Sequence, residues 1–139
     1  MNTREYGRIG EESAALFLEK NGYKVIGKNI HIGHDEIDII AENENFLVFV
    51  EVKTRRQKPD ASNKFGSPAS AVDEDKQSNL IRASERFVLE NQTHKMLRID
   101  VIEVYADPDS EAYKVLNINH IENAVTKRGK FSRSPRKTR

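Results

Sequence analysis

Apolar residues recur along this chain with two different spacings, and the spacing predicts which segments are helical. Spacings of three and four residues over 4–21 and 70–90 are typical of amphipathic helices. Alternating or continuous apolar runs rich in β-branched residues predict five strands, over residues 23–32, 36–41, 46–53, 97–105 and 113–118. The resulting order, α-β-β-β-α-β-β, favours one α/β (α+β) domain with a twisted, mixed sheet of about five strands flanked by helices.

The first helix and its end are the most sharply marked local features. An apolar stripe predicts the side that packs on the sheet, and its members are Ile9, Ala14, Leu16, Phe17 and Leu18. Asn21 and Gly22 follow, as expected for a helix that ends on a glycine cap. The next strand is expected to be broken near Gly27.

Two of the predicted strands carry acidic residues inside apolar runs, where a charge is costly unless something binds it. A polar connection over residues 42–45 predicts a hairpin between them. Alternation then places Val48, Val50 and Val52 on one face of the second strand, and Glu51 and Lys53 on the other. The hairpin brings Asp38 within a residue or two of Glu51, although a one-residue slip in register would reverse its face.

Two carboxylates and a lysine on neighbouring strands are what a metal-dependent phosphodiesterase needs. If their faces agree, Asp38 and Glu51 can share Mg²⁺, with Mn²⁺ as an alternative, and the Val52 carbonyl can add a further oxygen. A water on the metal would be the nucleophile, and Lys53 would orient it or stabilise charge on the phosphate. The alternative is a cross-strand salt bridge between Lys53 and one acid.

A series of short motifs occurs in order from about Tyr6 to Ile121. They are Gly7-Arg8-Ile9-Gly10-Glu11, Glu36-Ile37-Asp38-Ile39-Ile40, Phe49-Val50-Glu51-Val52-Lys53-Thr54-Arg55, Phe65-Gly66-Ser67-Pro68, Ala71-Val72, Lys76 and Arg98-Ile99-Asp100-Val101-Ile102. In these motifs the chain resembles the YraN-like family of the PD-(D/E)xK nuclease superfamily, small bacterial proteins related to archaeal Holliday-junction resolvases. The superfamily's proline is absent.

This resemblance implies a restriction-endonuclease-like fold and a function for individual residues. It implies Asp38 and Glu51 as metal ligands, Lys53 as the catalytic lysine, and Glu11 as an acid directed at the same site. From the sequence alone, Glu11 is equally consistent with an exposed helix residue. Since many resolvase relatives are two-fold dimers, it also leaves a homodimer as a possible state. Asp35 stands where the family usually has glycine; aspartate tolerates left-handed φ, but its charge would repel a phosphate or attract a second cation.

Basic residues outside the strands predict contacts with a nucleic-acid backbone. The whole chain has a net charge of +1, yet residues 126–139 hold seven lysines and arginines and no acid, which leaves −6 on residues 1–125. We therefore expect a nuclease-like domain over 1–125 and a basic, flexible tail over 126–139. The tail either adds contacts with phosphates or is simply solvated. The predicted phosphate-binding residues are Arg55, Arg56, Lys76, Lys127 and Arg128. Lys76 is equally consistent with a surface lysine. Asp100 could face the site or bond Arg98 or Arg55, and we expect the structural contact with an arginine.

Composition narrows the location and the partner. The chain has no cysteine, no apolar stretch of membrane-spanning length and no signal-peptide pattern, so we expect a cytoplasmic protein that does not enter a membrane. Aromatic residues are few and scattered, which favours recognition of backbone shape, with DNA favoured over RNA. The leading hypothesis is a Mg²⁺-dependent endonuclease acting on DNA, with branched or flapped DNA as a candidate substrate. A non-catalytic nucleic-acid-binding protein and an accessory protein with a structural ion-pair network are the alternatives.

Overall fold

Five strands form one mixed sheet in the computed structural model, which describes residues 3–57 and 72–126. The elements in chain order are α1 (Thr3–Lys20), β1 (Lys24–Ile32), β2 (Asp35–Glu42), β3 (Phe46–Arg56), α2 (Glu74–Asn91), β4 (Met96–Ala106) and β5 (Val115–Val125). The spatial order of the strands is β1-β2-β3-β4-β5, with β3 and β4 parallel and the other neighbours antiparallel. The predicted fold class and element order are confirmed.

The described helices lie on opposite faces of the sheet. Val48 and Val50 pack in a cluster with Ala14 and Leu18 of α1, whereas Phe49 packs with Leu80 of α2. Since successive strand residues point to opposite faces, α1 and α2 cover different sides. Neither described helix is long and apolar enough to cross a membrane.

One residue of the predicted α1 stripe does not pack on the sheet. Leu16 is 58% exposed, so its prediction as a core position was wrong. The residues of α1 that are buried are instead Tyr6, Gly10, Ala14, Ala15 and Leu18, and the small ones among them let the helix approach the strands closely. At Gly10 an added Cβ would collide with Thr54 of β3.

Strand boundaries differ from the prediction where the amino-acid pattern is weak. β3 continues three residues beyond Lys53, because its parallel register with β4 extends to the pair Arg56 and Ala106. β5 runs from Val115 to Val125 and is longer than the predicted strand over 113–118. The prediction ended too early because polar residues in the second half of the strand obscure the alternation. In β1 the expected break near Gly27 is a register shift between Val25 and Gly27 within a continuous strand.

Regular alternation also fails in β2. Ile37 packs in the α2-side cluster and Ile39 in the α1-side cluster, although residues two apart in a regular strand share a face. The opposite position in β1 is irregular as well, since Asn29 there has a φ of +52° between the paired residues Lys28 and Ile30. Asp38 lies between Ile37 and Ile39, at the point where the alternation of side chains along β2 between the two faces of the sheet is interrupted.

Candidate active site

The candidate site lies where β2 and β3 stop pairing. Their ladder begins at Ile39 and Val50 and runs toward the hairpin turn. Beyond it, the Asp38 carboxylate accepts a hydrogen bond from the Val52 N–H at 2.8 Å. The carboxyl groups of Asp38 and Glu51 also lie close enough together to shift each other's pKa. The structure thus brings these two residues together, and we call them the acid pair.

Glu51 is the most enclosed member of the site. It is 5% exposed, and two lysines approach it: Lys53 Nζ lies 3.6 Å from Oε2, and Lys76 Nζ lies 3.7 Å from Oε1. Burial and the neighbouring Asp38 raise the pKa of Glu51 to about 7, against the attraction of both lysines. Oε1 is buried and accepts no hydrogen bond from the described residues. A cationic or donor ligand would satisfy this atom.

The pKa of Asp38 is also raised, chiefly by burial. The hydrogen bond from Val52 and the charge of Lys76 act in the opposite direction. Two carboxyl groups this close cannot both ionise cheaply unless a cation lies between or beside them. The acid pair therefore holds either a shared proton or a counter-charge.

Glu11 reaches the same region from α1. Burial and then the charge of Asp38 raise its pKa, and the side chain of Asn29 acts in the opposite direction. The close approach of α1 at Gly10 puts Glu11 there. Asn29 was missed by sequence reasoning, although asparagine is enriched among residues with positive φ and this could have marked the position.

The donor set fits a hard divalent cation through the acid pair. Mg²⁺ takes oxygen ligands and is commonly held by one or two carboxylates, and Glu51 Oε1 is a buried oxygen without a hydrogen bond from the described residues. Across residues 3–57 and 72–126, no three His, Asp or Glu side chains meet closely enough to form a metal-binding cluster. Val52 contributes its N–H to Asp38, and coordination by its carbonyl stays a prediction.

The predicted phosphate-binding residues that the structure describes each contact a different partner. Arg55 donates two hydrogen bonds to Glu103 of β4, at 3.2 and 3.0 Å, and Lys76 faces Glu51. The guanidinium of Arg56 lies 5.3 Å from the centre of the Tyr6 ring. Lys127 and Arg128, with the rest of the basic tail after residue 126, lie outside the described residues, as do residues 58–71.

The charge of Asp35 is compensated by α2. Arg82 donates to both of its carboxylate oxygens, at 3.2 and 3.0 Å, and also bonds Asn79 at 3.0 Å. The left-handed conformation in this turn belongs to Gly33, with a φ of +64°. Asp35 therefore ties the β1–β2 turn to α2, and its negative charge is shared with a guanidinium.

A second buried acid, Asp100 of β4, has a structural environment. Arg98 binds both of its oxygens at 2.9 Å, His120 lies 2.7 Å away, and the Asn123 N–H donates at 2.9 Å. Although burial acts to raise the pKa of Asp100, these hydrogen bonds lower it overall. The expectation that Asp100 bonds Arg98 is confirmed.

The fold and the site together define an α+β protein with paired acids and two lysines at one end of its sheet. The chain belongs to Uncharacterised protein family UPF0102, whose model matches residues 10–104. That range includes both members of the acid pair, both lysines and Glu11.

Similar UPF0102 proteins occur in several bacteria. The protein of Caldicellulosiruptor saccharolyticus is 46% identical over 125 residues, which cover 89% of this chain and 99% of that relative. The relative from Caldanaerobacter subterraneus subsp. tengcongensis is 40% identical over 89% of this chain and 97% of its own length. The protein of Dictyoglomus turgidum is 36% identical over 89% and 99%, respectively.

Proposed function

We propose that this protein is a metal-dependent endonuclease that hydrolyses phosphodiester bonds in DNA, with branched or flapped DNA as the expected substrate. The observation that carries the proposal is the meeting of Asp38, Glu51, Lys53 and Lys76 at the end of the β2–β3 ladder. The PD-(D/E)xK resemblance of the same strand motifs supports it. A purely structural salt bridge would not need a second, partly buried acid beside the first.

Asp38 and Glu51 are the residues that would hold Mg²⁺. Held there, Mg²⁺ would polarise the phosphate and lower the pKa of a bound water. The Val52 N–H fixes the orientation of the Asp38 carboxylate before any ligand arrives. Glu51 keeps one oxygen toward each lysine, so the pair is pre-organised for an incoming cation and phosphate.

The two lysines belong to different elements and lie near different oxygens of Glu51. Lys53 is 39% exposed at its side chain and lies on the site face two residues after Glu51. It can stabilise charge that develops on the phosphate oxygens. Lys76 arrives from the first turn of α2, which Asp73 caps by accepting a hydrogen bond from the Lys76 N–H at 2.8 Å. The cap places its ammonium group over the other side of Glu51.

A nicking assay tests the proposal. Full-length protein is incubated with fluorescein-labelled four-way and linear DNA in Mg²⁺ or Mn²⁺, beside Lys53→Ala and a matched control, Lys24→Ala. Lys24 is exposed at the far end of β1, opposite Glu42. We expect Lys53→Ala to lower the cleavage rate by about 100-fold or more, and Lys24→Ala to stay within about twofold of the unmodified protein.

Two results would contradict the proposal in different ways. Equal cleavage by the unmodified protein and Lys53→Ala would indicate a contaminating nuclease. DNA binding without any metal-dependent cleavage would favour a non-catalytic nucleic-acid-binding protein on the same scaffold.

A further inference from the structure

A second carboxylate, apart from the acid pair, is completely enclosed on the same side of the sheet. Glu103 of β4 has no exposed surface. Its Oε2 accepts from Arg55 Nε and Nη2 at 3.2 and 3.0 Å, and its Oε1 accepts from Tyr105 at 3.3 Å and Asn119 at 3.0 Å. Burying a charge is costly. The hydrogen bonds to both oxygens offset this cost and fix the position of the Glu103 carboxylate.

What Glu103 holds most directly is Arg55. Arg55 follows Glu51 and Lys53 at two-residue intervals on β3, which places all three on one face. Lys53 and Glu103 are register partners, as are Arg55 and Tyr105. The Arg55 side chain is 36% exposed, so part of it is open to solvent.

The contact with Glu103 occupies only part of the Arg55 guanidinium. The two bonds to Glu103 use two of the five N–H groups of the guanidinium. The planar fork matches a phosphate when its orientation is fixed. Arg56, the next residue, points to the other face and lies over the Tyr6 ring.

We propose that Arg55 binds a backbone phosphate next to the bond at the acid pair, and that Glu103, supported by Asn119 and Tyr105, is the positioning residue that aims it. This inference rests on the proposed function for its substrate class, which is a nucleic acid. Phosphate contacts fix the register of a nucleic acid on a protein. Arg55 would thus fix the position of the nucleic-acid strand relative to Asp38 and Glu51.

Removing the negative charge of Glu103 separates positioning from simple electrostatics. If Arg55 acts only through its charge, Glu103→Gln makes the protein more positive and strengthens DNA binding. If Glu103 aims the fork, the same change weakens binding because Arg55 loses its fixed orientation. The two explanations therefore predict opposite signs.

The experiment measures fluorescence anisotropy of a fluorescein-labelled four-way DNA junction with full-length protein in EDTA, across a series of KCl concentrations. We expect Arg55→Gln to bind about tenfold more weakly, with a smaller salt slope. Arg55→Lys, which keeps the charge but lacks the fork, should also bind more weakly. Glu103→Gln should lose about fivefold. The matched control is Arg86→Gln, which breaks an exposed arginine–glutamate pair on α2 and should stay within about twofold.

The double variant Arg55→Gln/Glu103→Gln removes both charges. We expect it to bind no better than Arg55→Gln, because the phosphate contact is already lost. Recovery of full affinity in the double variant would overturn the inference, since the single variant would then have failed only through an unpaired Glu103. Tighter or unchanged binding by Glu103→Gln would overturn it as well.

Circular dichroism establishes that each variant is folded under the binding conditions. If Glu103→Gln does not fold, Asn119→Ala removes one support of the same carboxylate and is expected to weaken binding by about twofold to fivefold. Unchanged binding by Asn119→Ala would then refute the positioning role. Because binding in EDTA needs no cleavage, an inactive protein with Arg55-dependent binding contradicts only the endonuclease proposal. Cleavage without any Arg55 effect contradicts only this one.

Discussion

The Asp38 carboxylate binds the backbone N–H of Val52 on the neighbouring strand, at 2.8 Å, just beyond the end of the β2–β3 ladder. The bond fixes Asp38 beside Glu51 by protein contacts alone. Two neighbouring carboxyl groups are thereby built into the fold, and the energetic consequences of their proximity can be measured.

The first prediction concerns pH. The pKa of Glu51 rises from 4.5 to about 7 on folding, so between these values the folded protein binds more protons than the unfolded chain. Stability therefore falls as pH rises from about 4.5 to 7 and stays low above it, by a total on the order of 3 kcal/mol. Urea denaturation in EDTA at pH 5 and pH 8 measures the difference. Glu51→Gln should largely remove it, and an equal pH dependence in that variant would contradict the assignment.

The second prediction concerns metal addition and removal. At pH 8, Mn²⁺ or Mg²⁺ should raise the melting temperature by several degrees, because the ion binds only the folded acid pair, and EDTA should reverse the rise. Asp38→Asn should abolish the shift. Glu90→Gln, which changes an exposed acid at the end of α2, is the matched control and should retain it. A shift of equal size in Asp38→Asn would place the metal elsewhere.

The third prediction compares two glycines of α1. Gly10→Ala should cost about 1–3 kcal/mol, because the new methyl group meets Thr54 and forces α1 away from β3. Gly7→Ala meets nothing within 4 Å and should instead stabilise the helix by about 0.5–1 kcal/mol. Thermal and urea denaturation measure both. Equal effects at the two positions would argue against a close contact at Gly10.

The fourth prediction concerns the buried pair on β4. Arg98→Ala should destabilise the protein by about 3–5 kcal/mol, because Asp100 keeps its buried charge without the guanidinium. The loss also removes a cation–π contact with Phe46, at 4.7 Å from the ring centre. Arg8→Ala, which breaks an exposed pair with Glu12, should cost less than about 0.5 kcal/mol. Similar unfolding free energies for the two variants would contradict the buried network.

Local patterns were enough to predict the element order and the two faces of β3. Val48 and Val50 alternate with Phe49 and Glu51, and a two-residue period is a property of the strand itself. The same local logic failed at Leu16, because the exposed side of α1 is decided by which residues let the helix approach β3. It also could not give the length of β5, whose polar residues pair with β4.

The sequence by itself determined which residues can carry the proposed chemistry, since acids inside apolar strands stand out wherever the chain places them. Only the tertiary structure decided which of them meet. The change of face in β2 directs Asp38 to Val52 and Glu51, the crossover through α2 brings Lys76 over Glu51, and the parallel register of β3 with β4 joins Arg55 to Glu103. These contacts depend on register and packing between segments far apart in the chain, and no local periodicity encodes them.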